Sequence, residues 1–154
     1  MPEALRVGVV VSTFNGSITE GLRRGAIDEL QRLGVTEPTV VEVPGALELP
    51  VVARALADAG HDCVVALGAV IEGETDHYHH VATQTMAGLM QVSVASGRPV
   101  GIGLLTVRDV SHAVERSRPG AGNKGAEAAR AAVEAAGVVA SLRAAALAPP
   151  GADG

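Results

Sequence analysis

Residues 64–80 read Val-Val-Ala-Leu-Gly-Ala-Val-Ile-Glu-Gly-Glu-Thr-Asp-His-Tyr-His-His. An apolar run from Val64 to Leu67 stops at Gly68, and a short loop then carries Gly73, Glu74, Thr75 and Asp76. A helical pattern opens at His77. Backbone N–H groups around Glu74-Thr75, ahead of a helix start, suit an anion such as phosphate. His77 adds a side chain that exchanges a proton near neutral pH. The stretch reads as a small-molecule anion site with a proton-transfer group beside it. The plainer reading is a solvated or capping histidine. Metal binding by His77, His79 and His80 is disfavoured. Only 77 and 80 lie one helical turn apart, and no Cys set or His-Glu-x-x-His pattern accompanies them.

Two further segments carry groups with chemistry. Phe14-Asn15 follows an apolar run, and Phe14 is the only phenylalanine. Its ring can stack on a planar heterocycle, while Asn15 offers a donor and an acceptor. The alternative is a hydrophobic plug beside a turn-forming Asn. Pro44-Gly-Ala-Leu-Glu-Leu-Pro50 places Glu48 near a helix start. That carboxylate either balances the helix dipole or accepts hydrogen bonds from ligand hydroxyls. Arg116 and Lys124 are solvated charges when taken alone. The glycine-rich Gly120–Gly125 lacks the Gly-Lys-Ser/Thr of a Walker loop, and no Gly-x-Ser-x-Gly elbow is present.

These residues need a scaffold that gathers them. Strand patterns cover Leu5–Ser12, Thr39–Val43, Asp62–Leu67 and Val100–Leu105. A helix is predicted from Ser17, with Glu20 completing a capping box, to a stop at Gly34. Others run from about Leu47 to Ala59, from His77 to Ser96, and, after the glycine-rich Pro119–Gly125, to about Ala146. The third of these turns Val81, Thr85, Met86, Leu89 and Val92 inward. Thr106 is the predicted cap of a short helix before Pro119. Fully apolar strands alternating with helices indicate a parallel sheet covered on both faces. The predicted fold is therefore a three-layer α/β/α sandwich with a four-stranded, flavodoxin-like sheet. The segments after the strands, Thr13–Gly16, Pro44–Glu48, Gly68–His77 and Thr106–Asp109, would share its ligand-binding edge. Residues 1–146 form one domain in this reading, and 147–154 a flexible tail.

Composition narrows the class. The chain has 154 residues, 47% apolar and 19% charged, with net charge −5. One Phe, one Tyr and no Trp, without a basic stripe, argue against nucleic-acid binding. No run approaches the roughly 18 apolar residues of a membrane helix. Mean hydropathy of +0.29 points to apolar surface used between subunits. Cys63 reads as a buried core thiol, which suits a reducing cytoplasm. A strand pattern beginning at Leu5 leaves no room for a signal peptide.

Taken in order, Phe14-Asn15, Val43-Pro-Gly-Ala-Leu-Glu-Leu-Pro50, Leu67-Gly-Ala-Val-Ile71, Gly73-Glu-Thr75, His77 and Gly122-Asn-Lys-Gly-Ala126 resemble the lumazine synthase family of riboflavin biosynthesis. The resemblance runs collinearly from Leu5 to about Gly137. It implies a transferase without a cofactor that condenses 5-amino-6-ribitylaminouracil with 3,4-dihydroxy-2-butanone 4-phosphate to 6,7-dimethyl-8-ribityllumazine. By the same resemblance Phe14 stacks on the pyrimidine, and Ala46, Leu47 and Glu48 hold the ribityl chain. Ala69, Val70 and Ile71 line the heterocycle, and Glu74 and Thr75 bind phosphate. Arg116 pairs with that phosphate, Lys124 joins the substrate-binding set, and His77 transfers protons. Ile102 and Arg116 would come from a neighbouring subunit of a homo-oligomer, a pentamer or a sixty-subunit icosahedral shell. Riboflavin synthase is an implied partner.

The chain departs from the family pattern at Glu72, where Arg is usual, and at Ile102, where an aromatic ring is common. Arg118-Pro119-Gly120 replaces a more typical Gly-Thr-Lys. Glu72 and Ile102 motivate a second reading, a paralogue with a different amine or carbonyl substrate. A third, from another class, is a non-catalytic flavin- or lumazine-binding shell protein. The intact set of Phe14, Glu48, Thr75, His77 and Arg116 argues against it.

Overall fold

The computed structural model describes residues 5–73 and 77–147. Four strands, β1 (Val7–Ser12), β2 (Thr39–Val43), β3 (Cys63–Ile71) and β4 (Val100–Val107), alternate with helices. The helices are α1 (Gly16–Arg32), α2 (Leu49–Asp58), α3 (His77–Ser96), α4 (Val110–Ser117) and α5 (Lys124–Leu147). A single 3-10 turn, Ala46–Glu48, precedes α2. The sheet is entirely parallel, in the order β2-β1-β3-β4. The flavodoxin-like sandwich expected from the alternation is thus the fold observed.

The two faces of the sheet are closed by different helices. Val7, Val9, Val11, Val65 and Leu67 point toward Ile18, Leu22, Ala26 and Leu30 of α1 and toward the alanines of α5. The four-residue spacing on α1 places its apolar side chains in one stripe. On the opposite face Val10, Val64, Ala66 and Leu104 meet Leu49, Ala53 and Leu56 of α2 and Leu89 and Val92 of α3. Each large side chain fully removed from water adds about 1.5–3 kcal/mol to this closure. Gly34 and Gly60, at φ 92° and 96°, take the left-handed conformation just past α1 and α2, which an L side chain adopts only with strain.

Several boundaries differ from the sequence expectation. β3 does not stop at Gly68: its ladder with β4 continues through Gly68↔Leu104 to Ile71↔Val107. A Cβ at Gly68 would press on Ser12 Oγ (3.0 Å) and Leu104 Cδ1 (3.1 Å). That glycine serves close packing rather than a turn. Helix α1 begins at Gly16, with Asn15 as its N-cap and no side-chain cap bond. The Ser17–Glu20 capping box is therefore not formed, since Ser17 already lies inside the helix. β4 runs through Thr106, and Asp109 caps α4 instead, accepting from Ser111 N–H at 2.9 Å. Met86 faces outward, forming an exposed apolar stripe with Met90 and Val94 at four-residue spacing. Helix α5 extends one residue beyond its expected end, to Leu147, and residues 148–154 lie outside the described residues.

Candidate active site

The strand order reverses direction between β1 and β3, and a cavity of about 260 Å³ opens at the carboxyl ends beside this switch. That is the position where open α/β sheets bind ligands. Its walls come from four segments: Phe14 after β1, Gly45–Glu48 after β2, the end of β3 with Gly73, and the first residues of α3.

Phe14 leaves β1 with its ring 70% exposed. Two backbone bonds fix its departure: Thr13 N–H donates to Val43 O (2.8 Å) and Phe14 N–H to Pro44 O (3.0 Å). Asn15 follows at φ 63°, the only described non-glycine residue with positive φ. Asn tolerates this left-handed conformation better than most residues. Its Nδ2 donates to Ala69 O at 3.1 Å, tying the end of β1 to the end of β3. The turn that aims Phe14 is thus locked by its neighbour, and the Asn15 amide serves the scaffold.

Ala46, Leu47 and Glu48 form the 3-10 turn along one wall. Glu48 Oε1 accepts Gly45 N–H at 2.9 Å, so one carboxylate oxygen holds the turn. Ala69, Val70 and Ile71 line the cavity from inside a β3 that is longer than the sequence pattern indicated. His77 opens α3 at the rim and is exposed. Tyr78 and Val81 complete the α3 wall. Tyr78, the only tyrosine and the neighbour of His77, is a cavity residue that no motif in the sequence marked. Its ring meets His79 edge-on, with centroids 4.9 Å apart. Glu74 and Thr75 lie outside the described residues. Among the described residues no three His, Cys, Asp or Glu side chains converge as a metal site.

The remaining expected residues lie elsewhere. Arg116 and Lys124 line a separate cavity of about 270 Å³ with Leu104, Leu105, Thr106, Gly122 and Glu127. Lys124 Nζ lies 3.7 Å from Glu127 Oε1. This second cavity adjoins β4, an outer strand of the sheet. Ile102 is half-buried in β4 and packs against the α2/α3 side of the core. A larger cavity of about 470 Å³ lies between α1 and the α4–α5 connection. Its arginines are already paired: Arg24 with Glu20 (4.0 Å), and Arg32 and Arg130 with Glu29 (2.6 and 2.9 Å).

The glycine-rich connection before α5 has a structural occupation. Asn123 is buried, donates to Gly21 O (3.1 Å) and Arg118 O (2.9 Å), and accepts from Ala126 N–H (3.0 Å). A Cβ at Gly25 would collide with the Asn123 side chain, and one at Gly125 with the Leu22 carbonyl. Gly25 and Gly125 let α1 and α5 approach closely.

At about 260 Å³ the strand-end cavity is slightly below the ~300–1,000 Å³ usual for small-molecule sites. Apolar side chains, the Phe14 and Tyr78 rings, one carboxylate and one imidazole surround it, a set suited to a flat polar heterocycle and proton transfer. No helix among the described residues is long and apolar enough to cross a membrane. The family model described as 6,7-dimethyl-8-ribityllumazine synthase matches residues 4–140, and the chain belongs to that lumazine synthase family of riboflavin biosynthesis.

Proposed function

We propose that the chain condenses 5-amino-6-ribitylaminouracil with 3,4-dihydroxy-2-butanone 4-phosphate to give 6,7-dimethyl-8-ribityllumazine. The observation that carries this reading is the joining of Phe14, Glu48, the β3 end and His77 around one cavity, in a chain matched by the family model over residues 4–140. The pyrimidine stacks on the exposed Phe14 ring, over the floor of Ala69, Val70 and Ile71. The ribityl hydroxyls reach the Ala46–Glu48 turn, where the carboxylate oxygen not held by Gly45 is their acceptor.

The 5-amino nitrogen adds to the ketone carbon, and loss of water gives an imine. Abstraction of a carbon-bound proton then expels inorganic phosphate as the C–O bond breaks. The enol left behind takes a proton on its terminal carbon and becomes a ketone with a new methyl group. The ribitylamino nitrogen closes on that carbonyl, and a second water leaves. His77, at the rim, is the residue proposed to carry protons between these steps. Such a group typically contributes about 10²–10⁴-fold. Holding the two reactants together supplies much of the remainder.

A cation beside the Glu74-Thr75 backbone would strengthen phosphate binding, and Arg116 and Lys124 line another cavity. The proposal therefore includes a homo-oligomer in which Ile102, Arg116 and Lys124 of one copy complete the Phe14–His77 cavity of the next. The exposed Met86, Met90 and Val94 stripe is apolar surface available for such an assembly, whether pentamer or shell. Purified protein supplied with both substrates tests the reading, with product absorbance and phosphate release followed together. Product with equimolar phosphate supports it. A folded oligomer without turnover overturns it, and tight flavin binding without turnover favours a binding protein.

A further inference from the structure

Glu72 is an acid beside a site expected to take a phosphate, and the structure gives it a partner. Its N–H donates to Val107 O at 2.9 Å, extending the ladder beyond Ile71↔Val107. Its carboxylate Oε2 lies 3.2 Å from Arg108 Nε. The residues on either side, Ile71 and Gly73, both line the Phe14–His77 cavity. Arg108 leads directly into Asp109, whose Oδ1 accepts from the Ser111 N–H (2.9 Å) and hydroxyl (2.8 Å) to start α4. Arg116 sits in the last turn of that helix.

We infer that Glu72 and Arg108 are positioning residues that clasp the exit of β3 to the exit of β4 and cancel the acid's charge at the rim of the phosphate-binding edge. The inference rests on the proposed condensation and deepens it. Two consequences follow from the geometry. The clasp fixes the direction in which the chain leaves β3 at Glu72, because its backbone and side chain are both held by consecutive residues of β4 and its exit. It also removes an uncompensated negative charge that would repel an incoming phosphorylated ketone. Glu72 keeps 34% of its side-chain surface exposed and Arg108 84%. The pair is therefore modest in strength and sensitive to salt.

Arg108→Glu sets two carboxylates against each other at this rim. It is expected to raise KM for the phosphorylated ketone about 5-fold at low salt, with kcat within about 2-fold. The increase should shrink when ionic strength is raised to about 0.5 M. The charge-swapped double variant Glu72→Arg/Arg108→Glu is expected to restore KM to within about 2-fold of the original. An unchanged KM in Arg108→Glu, or a swap no better than the single variant, overturns the inference. Hydrogen exchange of the full-length oligomer provides a readout independent of turnover. The peptide covering 70–80 should exchange about 3-fold faster in Arg108→Glu, with α5 peptides unchanged. Unchanged exchange at 70–80 removes the clasp even if the enzyme turns over. Absence of turnover in the unmodified chain instead strikes the condensation reading and leaves the exchange result to judge the clasp.

Discussion

His77 and Arg116, the residues proposed to act on the same phosphorylated substrate, line different cavities of one chain. His77 stands at the rim of the strand-end cavity with Phe14 and Glu48. Arg116 stands with Lys124 beside the outer strand β4. In the proposed homo-oligomer, one chain's strand-end cavity would meet the Arg116 cavity of the next, so that assembly would join the two halves of one site. A heterologous contact, in which one patch meets a different patch of the next copy, closes into a ring when the rotation allows.

Phe14 should matter to substrate and little to folding, because its ring is largely exposed. Phe14→Ala is expected to raise KM for the ribitylaminopyrimidine about 2–10-fold through the lost stacking. Stability should change by less than about 0.5 kcal/mol. A large drop in the thermal midpoint with unchanged KM would return Phe14 to the role of a hydrophobic plug.

Asn123 should do the opposite. Its three hydrogen bonds tie α5 to Gly21 and Arg118. Asn123→Ala takes the donor from the part-buried Gly21 and Arg118 carbonyls and is expected to cost about 1–3 kcal/mol. Thermal unfolding checks this, and KM for the phosphorylated ketone should hold steady. A raised KM at full stability would assign the side chain to the ligand instead.

Glu29 predicts how the fold responds to acid. Hydrogen bonds from Arg32, and then from Arg130, outweigh desolvation and lower its carboxyl from the ordinary 4.5 to about 2. The folded value lies below the unfolded one, so this contribution is complete above about 4.5 and is lost as pH falls through about 2. Between those values the thermal midpoint of the unmodified protein should fall more steeply than that of Glu29→Gln. Parallel acid profiles would show that the pairing does not stabilise the fold.

Cys63 is fully buried in β3, and burial, then the Asp62 charge, pushes its thiol up to about 12. Thiolate is the reactive form. An aromatic disulfide reagent should therefore leave the native protein unmodified and label one thiol per chain after denaturation. Rapid labelling of the native protein would contradict the burial.

The fold was legible because apolar strands and amphipathic helices alternate without interruption. Phe14, Glu48 and His77 were legible for a related reason: each stands at the end of such a pattern, where a parallel sheet collects its loops. Gly68 misled because a glycine reads locally as a break. Only pairing with β4 reveals it as a close contact, where a Cβ would force Leu104 and Ser12 to give way. Ser17 and Glu20 matched a capping box, yet Asn15 in the left-handed region starts the helix earlier. Met86 looked like core because nothing in helical spacing separates an inward stripe from one facing outward. Glu72 stood out as an unexplained charge, because its partner Arg108 is 36 positions further along the chain, and only the β3–β4 register brings them together.

Coexpression of His77→Ala and Arg116→Ala in one assembly tests the divided site most directly. Each variant alone should be strongly impaired at limiting phosphorylated ketone. In a randomly mixed oligomer about a quarter of the sites would pair an intact strand-end cavity with an intact Arg116 from the next copy. Recovery of about that fraction of the unmodified rate is expected. Activity no greater than the average of the two separate variants would contradict it, and would require His77 and Arg116 to act within one chain or on different steps.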